Sequence, residues 1–194
     1  MSQSTLYFNT QLEQKVTLLP EQMDENIDDY LFNNLKEIVE KKTISGGIVV
    51  RVYKLISYNK GRIDKDSFMG STVYLVKYEC LFCAPNIGLD IIGIVTNILK
   101  RTLVIMNGSV QICVLFDNAN LDVVENKLIE LKSGKTIKID DYLKISIINN
   151  NINSGAPQIL CIGKLLGFAN ETEIKKYHAE QQLISTQVDT NEFI

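Results

Sequence analysis

The strongest constraint on this chain is a change of pattern at Cys83-Ala84-Pro85-Asn86-Ile87-Gly88. Pro85 fixes its own φ and drives Ala84 away from helical conformation, so the segment reads as a junction. After it the pattern is all β, with apolar and polar residues alternating at the period of half-buried strands. Residues 90–99 form the first run, with Gly93 inside it. A strand glycine often marks a bulge or a sharp bend, as small barrels need at their corners. Runs 102–106 and 110–116 flank Asn107-Gly108, a strong hairpin signal because both turn positions want φ > 0. A longer connection, 117–134, has room for a short helix. Ile137, Ile139, Leu143, Ile145 and Ile147 then make the apolar face of a fourth strand. A polar loop, 149–157, leads to the fifth, 158–166. Five strands with a longer connection between the third and fourth follow the plan of an OB-type barrel.

Before the junction the periods are mixed. Leu12, Val16 and Leu18 alternate with polar residues until Pro20 ends the strand. With Asp24 as N-cap, Ile27, Tyr30, Leu31, Leu35 and Ile38 fall on one helical stripe. Asp24, Glu25, Asp28 and Asp29 lead this helix and Lys41 and Lys42 close it, which suits its dipole. Ser45-Gly46-Gly47 breaks the chain. A strand follows with Ile48, Val50, Val52 and Ile56 on one face. Residues 58–70, with Asn59, Gly61, Asp64, Asp66 and Gly70, read as a loop, and Tyr74, Val76, Tyr78, Cys80 and Phe82 as another strand. The expected fold class is therefore α+β: a small helix-on-antiparallel-sheet domain at 1–83, an OB-type barrel at 84–167, and an extra tail at 168–194. In the tail, Asn170 with Glu173 resembles a capping box. Residues 171–183 then form a marginal or partner-dependent helix with a thin stripe of Ile174, Tyr177 and Leu183, and 185–194 are expected to be disordered.

The net charge is −3 and the pI near 5.3. Phosphate contacts dominate nucleic-acid affinity, so any such role must be local and weak, whereas a protein partner needs no basic surplus. No apolar run is long enough to span a bilayer, and the N-terminus lacks the pattern of a signal peptide. Four cysteines then point to a reducing compartment and free thiols. Cys80-Leu81-Phe82-Cys83 is a CxxC, but on an extended chain its two thiols face opposite ways, and zinc needs two more ligands. No metal and no cofactor is expected. His178 is the sole histidine, Asp28-Asp29 and Asp140-Asp141 read as solvated surface, and Gly46-Gly47 follows a helix instead of opening one. No catalytic residue is assigned.

One constellation has two readings. Lys138, Tyr142 and Lys144 alternate onto the polar face of the fourth strand, and Lys100-Arg101 sits at the barrel's first turn. These five could track an RNA backbone and stack one base. They also read as a solvated outer face with one exposed tyrosine, and the acidity of the chain favours that reading.

Leu6-Tyr7-Phe8, Val16-Thr17-Leu18-Leu19-Pro20, Lys60-Gly61-Arg62-Ile63, Val76-Lys77-Tyr78 and Gly88-Leu89-Asp90-Ile91-Ile92-Gly93 occur in an order and spacing similar to one family. Between Thr5 and Gly167 the chain resembles the stalk subunit of eukaryotic and archaeal RNA polymerases, the subunit-seven family, called E-prime in archaea. The resemblance implies a non-catalytic subunit. Its tip would dock on the large subunits near the clamp through Pro20, Lys60, Gly61, Arg62 and Ile63. Its barrel would project towards nascent RNA or initiation factors, with a small helical subunit-four protein as a further partner. Thr102-Leu103-Val104-Ile105-Met106 lacks the aromatics that the family often shows there, and the tail after Phe168 has no counterpart. An Asn-rich, divergent version fits a large DNA virus encoding its own polymerase. That places it in the host cytoplasm or virion, or in the nucleus for a cellular protein. Two rivals remain: a free-standing OB-fold protein binding single-stranded RNA, and a thiol enzyme using the CxxC.

Overall fold

In chain order the first elements are β1 (Tyr7–Leu18), a 3-10 turn (Pro20–Gln22), α1 (Ile27–Val39), β2 (Lys42–Ile44), β3 (Gly47–Tyr58), β4 (Arg62–Ile63) and β5 (Thr72–Cys83). This computed structural model describes residues 5–44, 46–65, 68–116, 121–124, 127–130 and 135–185. They fall into two units. One is Tyr7–Ala84 with Ser154–Pro157, and the other holds the remaining described residues.

In the first unit β1 pairs antiparallel with β5 along its whole length, from Tyr7 opposite Cys83 to Leu18 opposite Thr72. The sheet order is β1-β5-β3-β2, and β4 joins β5 at Thr72 and Val73. Leu31, Leu35 and Val39 of α1 share one core with Val16, Leu18, Val52, Tyr78 and Cys80. Three expected core positions differ: Val49 is buried in the core in place of Val50, which the first β3 register shift skips, and two others are exposed. Ile38 is exposed and Val39 takes its place, because Leu31, Leu35 and Val39 recur every four residues and so share the core-facing stripe of α1. Ile56 is exposed because three register shifts interrupt the β3–β5 pairing, and each extra residue moves the next side chain to the other face. Asp24 does not cap α1. Its Oδ1 accepts the N–H of Asn26, the N-cap residue.

Tyr78 is fully buried in this core, and among the described residues its hydroxyl has no hydrogen-bond partner. An unpaired buried hydroxyl loses its water contacts without compensation. Tyr78→Phe should therefore leave stability unchanged or raise it by about 1 kcal/mol in urea denaturation. A loss of about 1 kcal/mol or more would contradict this account of the hydroxyl.

The second unit contains β6 (Asp90–Ile98), β7 (Thr102–Asn107), β8 (Val110–Leu115), β9 (Leu121–Val124), β10 (Lys127–Glu130), β11 (Thr136–Ile137), β12 (Tyr142–Asn151), β13 (Ile159–Phe168) and α2 (Glu171–Ser185). A closed barrel runs β6-β7-β8-β13-β12 and back to β6. Only β8 and β13 pair in parallel. That is the OB-type circuit, so the fold class is α+β with an OB-like barrel. Leu103, Ile105, Ile112, Val114, Leu143, Ile145, Ile147 and Ile159 are fully buried or nearly so.

Several local readings change. The connection before β12 carries β9, β10 and β11 as a three-stranded sheet instead of a short helix, and residues 117–120, 125–126 and 131–134 lie outside the described set. Ile137 belongs to β11, and Ile139 is exposed in the turn that follows. Asp140 and Asp141 build that turn. Asp140 takes φ +73 and donates its N–H to Val95 O, while Asp141 accepts the Lys138 N–H. The β7–β8 hairpin exists, but Asn107 pairs with Val110, so its loop is Gly108-Ser109 with Gly108 at φ +54. Asn107 is buried and donates its side chain to Ile92 O at 2.7 Å. Gly93 marks a close approach and no bulge. A Cβ there would lie 2.5 Å from Ile105 Cγ2, and the β6–β7 register shift falls later, between Val95 and Asn97.

After β13, α2 begins with half of the expected capping box: Glu173 Oε2 accepts the Asn170 N–H at 2.9 Å. The readings placed on Ser45, Asp66 and 186–194 lie outside the described residues. No helix among the described residues is long and apolar enough to cross a membrane.

Candidate docking and RNA-facing surfaces

Three segments meet at one end of the first unit's sheet. β1 ends at Leu18 opposite Thr72, and Pro20 follows at once. On the other side of β5, Arg62 and Ile63 pair with Val73 and Thr72. A Cβ on Gly70 would lie 3.7 Å from the Pro20 ring, so the chain entering β5 passes beside that proline. Asn59 holds the turn, because its Oδ1 accepts the N–H groups of both Gly61 and Leu75. Gly61 has φ +73, and a Cβ there would stand 2.7 Å from Thr72 and 2.8 Å from the Tyr74 ring. Only glycine satisfies both the left-handed backbone and that approach.

This end presents apolar surface to solvent. Ile63 is 73% exposed, Met69 74%, and Phe68 fully so. Lys60, Arg62 and Lys65 are exposed around them. Large apolar side chains left this exposed suit an interaction surface better than water. Pro20, Lys60, Gly61, Arg62 and Ile63, the residues the sequence singled out for docking, thus lie at this end of the sheet, and Phe68 and Met69 are exposed in the segment between β4 and β5. The sequence signal for that pair was an apolar dipeptide inside a turn-rich loop, where burial has nothing to bury against.

The barrel residues separate. OB barrels commonly bind single strands on the second and third strands. Here the outward residues of β7 and β8 include Val104, Met106, Gln111 and Cys113, with neither charge nor ring. Tyr142 and Lys144 do share the outer face of β12, but α2 lies over them. Tyr142 Oη is 3.2 Å from His178 Nε2. The rings of Tyr142, Tyr177 and His178 stand 5.4 to 5.7 Å apart, each pair edge to face. Lys144 Nζ is 3.0 Å from Glu173 Oε1. Lys138 precedes the strand, in the turn closed by Asp141. Lys100 and Arg101 are exposed at the β6–β7 turn. Tyr142 pairs with Ile94, six residues before Lys100, so about 20 Å of strand separates them. Two of the five predicted RNA residues come together.

Beside α2 runs a groove of about 490 Å³, lined by Asp90, Asn107, Lys144, Lys176, Tyr177 and Glu180 among others. Gln181 Nε2 donates to Asn107 Oδ1 at 2.9 Å. The hydrogen bond from the Asn170 N–H, then that from Lys144, holds the Glu173 carboxyl below its ordinary range. Glu173 accordingly raises Lys144. A depressed carboxylate contributes stability that is complete above its ordinary pKa of 4.5 and lost as pH falls through the folded value. Burial raises Glu180, which acts in the opposite direction, since acid relieves it. Acid titration should therefore loosen α2 below pH 4.5 in the wild type. Glu173→Gln should flatten that part of the helicity profile. An identical profile for both proteins would refute the role given to Glu173.

Cys80 and Cys83 are both buried on β5, and burial pushes Cys80 up to about 11 and Cys161 up to about 12. At neutral pH these two are protonated and poor nucleophiles.

No family model matches the chain. It is similar to a protein of Acanthamoeba polyphaga mimivirus provisionally named a DNA-directed RNA polymerase subunit. The two are 41% identical over 187 residues, covering 95% of this chain and 94% of the relative. The chain belongs to this family of viral RNA polymerase subunits. The matched span of the subunit takes in both structural units and is too long to leave out the tail after Phe168. That tail, without counterpart in the resemblance to the cellular stalk family, is thus shared in large part with the viral relative.

Proposed function

We propose that this polymerase subunit is a non-catalytic stalk component. Its tip, about 1–83, docks on the polymerase body, and its barrel, about 84–167, projects towards nascent RNA or initiation factors. The observation that carries the reading is the exposed hairpin end, where Ile63, Phe68 and Met69 stand among Lys60, Arg62 and Lys65. A group of this kind is better suited to a protein groove than to water. Its partners are the large polymerase subunits and a helical protein of the subunit-four kind. Its place of action is the host cytoplasm or the virion. The free-standing RNA-binder gains little support, because Tyr142 and Lys144 are occupied by α2. The thiol enzyme loses ground to the raised Cys80.

Arg62 tests the docking surface without disturbing the core, since it is exposed. Its guanidinium fork can pair with carbonyls or a carboxylate of the partner. Arg62→Ala should lower recovery of the large subunits with the tagged chain by roughly tenfold or more, the scale of an arginine hot spot. Undiminished recovery would count against the surface.

A further inference from the structure

The contacts that hold α2 against the barrel share a chemical character. A carboxylate, Glu173, meets the Lys144 ammonium at 3.0 Å. A flat nitrogen heterocycle, His178, meets the Tyr142 ring at a centroid distance of 5.4 Å. A side-chain amide, Gln181, meets the Asn107 amide at 2.9 Å. A single RNA strand offers the same three groups as phosphate oxygen, base ring and base edge, and surfaces that bind such strands combine cations with aromatic platforms. We infer that α2 is a displaceable stand-in for single-stranded RNA on the outer face of β12. The inference rests on the barrel being the RNA-facing part of the subunit.

Charge and packing support displacement. Residues 169–194 carry five acidic and two basic side chains, which leaves eighteen of each in the rest of the chain. The whole net charge of −3 therefore belongs to the tail. Among the α2 side chains described, Tyr177 alone is buried, and the Lys144 and Glu173 side chains are 36% and 25% exposed. A short helix with so little apolar cover depends on its docking contacts to stay formed. The groove beside it, passing Lys144 and Lys176, gives a strand a place to enter.

The test uses the full-length chain and a fluorescent twelve-nucleotide oligouridylate as probe. Glu173→Gln should tighten binding by about fivefold or more. Glu171→Gln makes the same charge change on the same helix at an exposed residue, and should alter affinity less than twofold. Tyr142→Ala added to Glu173→Gln should abolish the gain. Saturating probe should also speed tryptic cleavage after Lys175 and Lys176 in the wild type. Equal affinities for the wild type and Glu173→Gln, with α2 protected in the complex, would overturn the inference and leave the RNA-facing barrel standing. No binding by any of these chains would overturn both.

Discussion

Gly163→Ala is expected to destabilise the barrel severely. Gly163 lies on β13 between Ile147 of β12 and Val114 of β8. A Cβ there would sit 2.3 Å from Ile145 Cγ2 and 2.8 Å from Ile112 Cγ2. Carbon atoms pack best at about 3.5–4.0 Å, so the strands must part or both isoleucines must leave their rotamers. Both are β-branched and fully buried, which leaves little freedom at χ1. The cost should reach roughly 3 kcal/mol, the upper part of the range for overpacked cores. That corresponds to on the order of 10 °C in Tm for a chain of this size. Ile145→Ala in the same chain removes the methyl that the new Cβ meets, and should return part of the loss. Such non-additivity is what a direct contact produces. A Gly163→Ala protein as stable as the wild type would show that β12 and β13 do not approach as described.

The second large effect belongs to the tip. Phe68 has no packing to lose in the isolated chain, because it is fully exposed. Phe68→Asp should therefore change stability by less than about 0.5 kcal/mol, as surface substitutions do. In the docking account the same change places a desolvated charge at the centre of the contact. Aromatic anchors in such positions contribute about 2–4 kcal/mol, so recovery of the large subunits should fall roughly 30-fold or more. Normal folding with normal recovery would remove Phe68 from the interface.

Much of the fold could be read from period alone. All five barrel strands were legible because each is half buried, and alternation survives wherever one face is wet. The Asn-Gly signal located the hairpin but missed its frame by one residue, since Asn107 is spent on Ile92 O in the interior. Gly93 was conspicuous for a good reason but the wrong one: the space it leaves is taken by Ile105. The β3 bulges were invisible, because an inserted residue leaves no mark on composition while it reverses every later side chain. The same limit applied to the sites. Lys60 to Ile63 could be proposed from a short motif, whereas Phe68 is a candidate only because the structure leaves it fully exposed. Tyr142 and Lys144 were placed on the correct strand and face. Their cover came from α2, whose thin apolar stripe gave no hint that a carboxylate, an imidazole and an amide would dock it.

We propose that this chain works inside a viral RNA polymerase, anchored by its tip. Affinity capture of the tagged full-length chain from virus-infected cells, followed by mass spectrometry, tests it most directly. The large polymerase subunits should be recovered near-stoichiometrically with the wild type and lost with Phe68→Asp. Capture of the chain alone, or with RNA but without polymerase subunits, would contradict it.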